Sequence, residues 1–308
     1  MSSADADKLM KQANNYCDPS FFSMRIKADW EQAQPIYEKA AKSYKAAKCY
    51  DKARYAFERA ATGQERQSSP WQAGKLLEQA ASCAKEIGDM AQVAELSRKA
   101  AQLYKEAGRG SAAAEALSKA AKLVEEKNPQ EASAMYLEAV ELMEDDGKES
   151  MALDIFRQAI GSHIKNQRYV DAMNMLMRFA QACDASHATS SQCKAYLGAV
   201  VVGLYAGNAA EAWATYQDAL GVDAFNCSSE ALVADALFDA YRSADEAAIR
   251  KLITSRPIFL DLDNQVGKLA KKLPVGDVRA MAAQLGGAQG AVPAAVVDTA
   301  DIDEDDLT

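Results

Sequence analysis

A beat of small residues restricts the fold more than any other feature of this sequence. Alanine pairs recur at Ala40-Ala41, Ala60-Ala61, Ala80-Ala81, Ala100-Ala101 and Ala120-Ala121, and the beat continues at Ala139-Val140 and Ala159-Ile160, in steps of 20, 20, 20, 20, 19 and 20 residues. Turn signals fall between the pairs, at Lys48-Cys49, Thr62 to Pro70, Gly88-Asp89, Gly108 to Gly110, Asn128-Pro129, Asp145 to Gly147 and Asn166-Gln167. Each beat therefore reads as one helix and one turn. Within a beat the apolar residues step by three and four, as in Ile36, Tyr37, Ala40, Ala41, Tyr44 and Ala47, which places them on one helical stripe. Alanine at the centre of the stripe lets neighbouring axes approach to about 8 Å, and Tyr37, Tyr44, Tyr55, Phe57, Tyr104, Tyr136 and Phe156 are expected to fill the flanking gaps.

Two beats make an antiparallel hairpin of about 40 residues that cannot bury its faces alone and must stack on the next. The predicted fold is all-α: a right-handed α-solenoid of tetratricopeptide-like antiparallel helical hairpins over residues 1–225, with a C-terminal helical bundle at 226–285. Past residue 226 the beat dissolves into shorter segments interrupted at Pro257 and Pro274. Only Gly198 to Tyr205 is rich in β-branched residues, and its helical surroundings make it a buried helix. Residues 286–308 read as a flexible linker, GGAQGAVPAAVV, carrying an acidic tail.

The 308 residues are 49% apolar, enough for a continuous core. Of the net charge of −9, Asp298, Asp301, Asp303, Glu304, Asp305 and Asp306 contribute six, so the body is nearly neutral and has no basic surface suited to nucleic acid. No secretion signal opens the chain, and its longest weakly polar run, GAVVVGLYAG, is too short to span a bilayer. Cys17, Cys49, Cys83, Cys183, Cys193 and Cys227 form no CxxC and have no histidine at ligand spacing, so they read as buried reduced thiols of a cytosolic protein. No phosphate loop is present, His163 and His187 stand 24 residues apart without a metal-binding partner, and Asp145-Asp146 sits at a turn where solvation accounts for it. The expectation is a protein that is not an enzyme and holds neither cofactor nor metal.

Both ends carry apolar residues in charged company. Asp18-Pro19-Ser20-Phe21-Phe22-Ser23-Met24-Arg25-Ile26-Lys27 separates the first helix from the second, and its Phe21, Phe22 and Met24 lack the spacing of a helix stripe while Arg25 and Lys27 follow directly. Such a turn suits shallow docking on an anionic bilayer, or equally a hydrophobic plug beneath the first helix. The other end, DIDEDDLT, closes on a bare Leu307.

Taken together, the FFS turn, the alanine beat with its GR at 108–109 and NPQEA at 128–132, and the terminal DEDDL resemble the soluble NSF attachment proteins, adaptors that join SNARE bundles to the hexameric N-ethylmaleimide-sensitive fusion ATPase, NSF. DWEQAQPIYEKAAKSYKAAKCYDKA (29–53) and ALDIFRQAIGSHIKNQRYVDA (152–172) are more similar to the gamma type, the Phe21-Phe22 pair and the DEDDL ending to the alpha type. The resemblance implies a twisted sheet of hairpins topped by a helical bundle, a cytoplasmic, peripherally membrane-associated protein, and three partners: a SNARE complex of syntaxin-type and related helices, the NSF hexamer and a membrane surface. It assigns Phe21, Phe22 and Met24, with Arg25 and Lys27 beside them, to the membrane. It assigns Leu307 to stimulation of the ATPase, with Asp303, Glu304, Asp305 and Asp306 steering the tail to a basic surface and Asp239 contributing from the bundle. Burying the leucine would contribute about 1.5–3 kcal/mol. Of the basic SNARE-gripping positions only Arg109 keeps its charge, others falling on Glu115, Asp154 and Gln158. Lys119, Lys122, Arg157, Lys165, Arg168 and Lys194 lie near enough to substitute. The competing reading is a general tetratricopeptide-like scaffold that binds peptides without the ATPase, which the 40-residue unit, longer than the ~34 of that repeat, disfavours.

Overall fold

The computed structural model describes residues 3–17 and 28–287, and among these it is all-α, a solenoid of helical hairpins. The helices are α1 (Ser3–Cys17), α2 (Trp30–Ala46), α3 (Tyr50–Arg66), α4 (Pro70–Glu86), α5 (Met90–Glu106), α6 (Gly110–Val124), α7 (Pro129–Asp145), α8 (Leu153–Lys165), α9 (Tyr169–Ala185) and α10 (Thr189–Tyr205). Then follow α11 (Ala209–Leu220), α12 (Asp223–Asn226), α13 (Ser229–Arg242), α14 (Glu246–Ser255), α15 (Asn264–Ala270) and α16 (Val278–Gly287). From α1 to α11 each helix packs on the one before it. The alanine pairs sit at these contacts: Ala40, Ala60, Ala80, Ala100, Ala120, Ala139 and Ala159 are all buried.

One turn geometry closes nearly every helix of the solenoid. A residue with positive φ occurs at Lys48, Ser68, Gly88, Gly108, Gly147, Gln167, His187 and Gly207, and the residue after it donates its N–H five residues back, as in Cys49 to Tyr44, Asp89 to Ala84, Arg168 to His163 and Asn208 to Gly203. This satisfies carbonyls that the helix end leaves unpaired. The same residue then begins the next helix, with a side-chain oxygen on the first turn at Asp89 and Asn208; Asn128 does this for α7. The α7 to α8 connection is the longest of these and adds a short 3₁₀ turn at Glu149–Met151.

Three expectations need correction. The helix α3 runs through Thr62 and Gly63 to Arg66 rather than turning there, because Gly63 lets the Gln34 side chain approach to where a Cβ would stand, 2.7 Å from its own Cβ. Tyr55 fills no gap and is 52% exposed. All six cysteines are free, but Cys227 is exposed and Cys17 and Cys49 are only partly buried. The helix over Gly198–Tyr205 is as expected: α10 is apolar all round and buried from Ala195 to Leu204, since α9, α11, α13 and α15 all lie against it. Rings carry the packing onward, with Tyr196 5.2 Å from Phe225, Phe225 6.2 Å from Tyr216, and Trp213 4.9 Å from Phe238. No helix among the described residues is long and apolar enough to cross a membrane.

Candidate functional site

Hairpin stacking sorts the side chains into two layers. On the odd-numbered helices the charged groups bind each other. Arg54 of α3 donates to Gln92 of α5 at 3.3 Å, Arg98 of α5 reaches Glu138 at 2.8 Å and also Glu131 on α7, and Arg178 of α9 meets Glu144 of α7 at 2.6 Å. The paired carboxylates hold the Arg98 guanidinium above its ordinary pKa, more than offsetting its burial. These bridges lie about one hairpin apart and fasten neighbouring hairpins.

Six candidate SNARE-gripping cations lie on the other layer, whereas Arg168 stands at the N-cap of α9 and pairs with Asp171 at 2.7 Å. Arg109 stands at the N-cap of α6, Lys119 and Lys122 on α6, Arg157 and Lys165 on α8, and Lys194 on α10. Ser118 Oγ donates to Gln158 at 3.3 Å and joins α6 to α8 in this layer. Two residues that replace the expected grip, together with Glu125, restrain its substitutes. Glu115 holds Lys119 at 3.1 Å, Asp154 holds Arg157 at 3.0 Å, and Glu125 lies 3.9 Å from Lys165. All three pairs are solvent-accessible on at least one side, so a partner can exchange them at a cost of about 0–1 kcal/mol each. Lys122 and Lys194 have no ion pair among the described residues.

Two of the six are brought together. Arg157 and Lys194 line a cleft of about 250 Å³ with Phe179, Leu176 and Ile160 on one side and Asp261, Leu262, Asp263 and Val266 on the other, where α8, α9 and α10 meet the chain entering α15. The Arg157 guanidinium rests 5.4 Å from the Phe179 ring centroid. Asp239 stands exposed on α13, its charge answered by Arg242 at 3.0 Å, and Arg242 in turn stacks 4.1 Å over Trp213. Phe21, Phe22, Met24, Arg25 and Lys27, and likewise Asp303, Glu304, Asp305, Asp306 and Leu307, lie outside the described residues.

A cluster that sequence reasoning missed surrounds Trp71, in the first turn of α4. Lys75 Nζ lies 4.7 Å and the Arg109 guanidinium 5.7 Å from its ring centroid, and Tyr104 packs against it at 4.9 Å. Tyr104 donates to Glu78 at 2.6 Å, and burial together with that carboxylate pushes its phenol well up. Lys75 follows Trp71 at the four-residue step of one helix face, which was visible; Arg109, 38 residues further on, joins only through hairpin stacking.

Comparison with known proteins agrees with this architecture. The family model for the soluble NSF attachment protein, SNAP, matches residues 3–263. A gamma-soluble NSF attachment protein of Arabidopsis thaliana is 38% identical over 99% of this chain and the whole of that protein, and one of Dictyostelium discoideum is 31% identical over 88% of this chain and 83% of its own. Among solved structures, a circular tandem repeat protein covers 93% of this chain at 12% identity with a TM-score of 0.39, too distant to add to these matches. By the family model and the end-to-end likeness alike, this chain belongs to the soluble NSF attachment protein family.

Proposed function

We propose that this protein is a non-enzymatic adaptor that binds SNARE complexes at membranes and brings the NSF ATPase to them for disassembly. The layer of even-numbered helices would hold the coiled SNARE bundle through Arg109, Lys119, Lys122, Arg157, Lys165 and Lys194. The Phe21-Phe22 turn, with Met24, Arg25 and Lys27, would dock on the bilayer that carries the SNAREs, keeping the protein peripheral to the cytoplasmic membrane face. Residues 226–285 would form the ATPase-facing part with Asp239, and 286–308 the tether that delivers Leu307. What supports this reading most is the likeness to gamma-type relatives over essentially the full length.

The division of labour is physical. Exposed ion pairs that can be exchanged suit a partner that must later be released, because they favour encounter and register over tight holding. The acidic stretch Asp303 to Asp306 governs arrival at a basic ATPase surface, and Leu307 slows departure by filling an apolar pocket. Several adaptors facing six ATPase subunits then multiply weak contacts through avidity. Deleting Leu307 and Thr308 should leave the melting temperature and SNARE-complex binding unchanged while stimulation of ATP hydrolysis falls severalfold. Full stimulation by the shortened chain would remove the leucine from the mechanism.

A further inference from the structure

Contacts string the odd-to-even turns into a continuous rim. The Asp29 N–H donates to the Tyr16 carbonyl at 2.9 Å and ties the start of α2 to the end of α1. Gln67, in the α3 to α4 turn, donates to the Trp30 carbonyl at 3.3 Å. Arg109, in the α5 to α6 turn, reaches across to Trp71. The Asp146 carboxylate of the α7 to α8 turn occupies the place of an absent Cβ on Gly110 and pairs with Lys148 at 2.9 Å.

On this rim stand Trp30 and Trp71, 41 residues apart, each in the first turn of its helix, partly buried and touched by cations. Arg59 lies 4.9 Å over Trp30; Lys75 and Arg109 share Trp71. Lys75 and Arg109 are exposed, and neither has an ion pair among the described residues, unlike Arg54, Arg98, Arg157, Arg168, Arg178 and Arg242. The nearby carboxylates are already engaged, Glu78 by Tyr104 and Asp146 by Lys148, so the two cations drawn to one ring make a positive spot that an anion relieves. Tryptophan, with an apolar body and a polar N–H, is suited to the headgroup layer of a bilayer.

We propose that this rim is a structured membrane-contact surface, with Trp30 and Trp71 at the level of the lipid headgroups and Lys75 and Arg109 receiving their anionic groups. It rests on the reading that residues 18–27 face a membrane and extends that contact over the next two hairpins. Arg109, which family likeness carries to the SNARE grip, stands at the N-cap of α6, where the even-numbered layer meets this rim. From there it can also meet a flat anionic surface.

The test is co-sedimentation of the full chain with phosphatidylcholine vesicles, with and without phosphatidylserine, and no SNARE present. Lys75→Gln with Arg109→Gln should lower partition onto the phosphatidylserine vesicles by roughly 25-fold, about fivefold per cation. Partition onto phosphatidylcholine alone should not change, and Lys75→Arg should bind as the parent does. Both residues are exposed, so an unchanged thermal melt certifies the fold. The Phe21→Ser, Phe22→Ser variant run beside it separates the two ideas. Loss with the serine variant but none with the glutamine variant overturns the rim and keeps the loop; the reverse keeps the rim and removes the loop. If the glutamine variant instead loses a soluble SNARE complex while its vesicle binding is intact, the surface belongs to the protein partner and the proposal falls.

Discussion

His163 is a buried imidazole, 3% exposed on α8, and its Nδ1 has no hydrogen-bond partner among the described residues. Burial holds its pKa below the ordinary 6.5; nearby Asp171 pulls upward and Arg168 downward, without reversing the effect of burial. The unfolded chain therefore binds this proton more readily than the folded one. Its contribution to stability is complete above about pH 6.5 and is lost as pH falls from there through the folded-state pKa. His163→Asn should flatten the acid side of the stability profile: the difference in urea midpoint between parent and variant narrows from pH 7.5 to pH 5, with pH values chosen on either side of the free imidazole at roughly 6.5. A constant difference would mean that the proton is not excluded. The sequence showed a histidine on a helix, but not that hairpin stacking seals it from water.

At the scale of the element, the turns are where local chemistry and repeat spacing conflict. Lys48, Ser68, Gln167 and His187 hold φ between 54° and 59°, a region costly for residues with a Cβ, while Gly88, Gly108, Gly147 and Gly207 fill equivalent places without strain. Gln167→Gly should therefore raise stability by about 0.5–1 kcal/mol, the left-handed cost relieved less the entropy that glycine adds to the unfolded chain. A lower melting temperature would show that the Gln167 side chain contributes in ways the turn geometry does not reveal. Helices of the solenoid were legible because alanine pairs mark their contacts directly. Gly63 misled because a glycine signals a stop, yet here it makes room for Gln34, a partner 29 positions earlier. Tyr55 misled because three- and four-residue steps leave the edge of a stripe undecided. The cluster around Trp71 was illegible because pairing Lys75 with Arg109 depends on how hairpins register, which no local pattern encodes.

For the whole molecule, α10 decides what can be removed. It is sheathed by α9 and α11 and by α13 and α15 from the terminal part, so a chain ending at residue 222 would expose its apolar flank along with Tyr196 and Tyr216. Such a chain should bind a hydrophobic dye strongly and sediment as aggregates, whereas one ending at residue 287 should remain monodisperse; a monodisperse 1–222 chain would mean the solenoid is self-sufficient. The terminal part was the least legible region, since its short helices keep no beat: α13 and α15 pack on α10, while α14 packs on α13 and α16 on α11 and α13. The recurring turn has a consequence for distance. Because hairpins join through interchangeable closures, splicing in or cutting out one forty-residue module would shift the first hairpin relative to the terminal helices by about 10 Å without redesigning either. The solenoid thus works as a ruler graduated in hairpins.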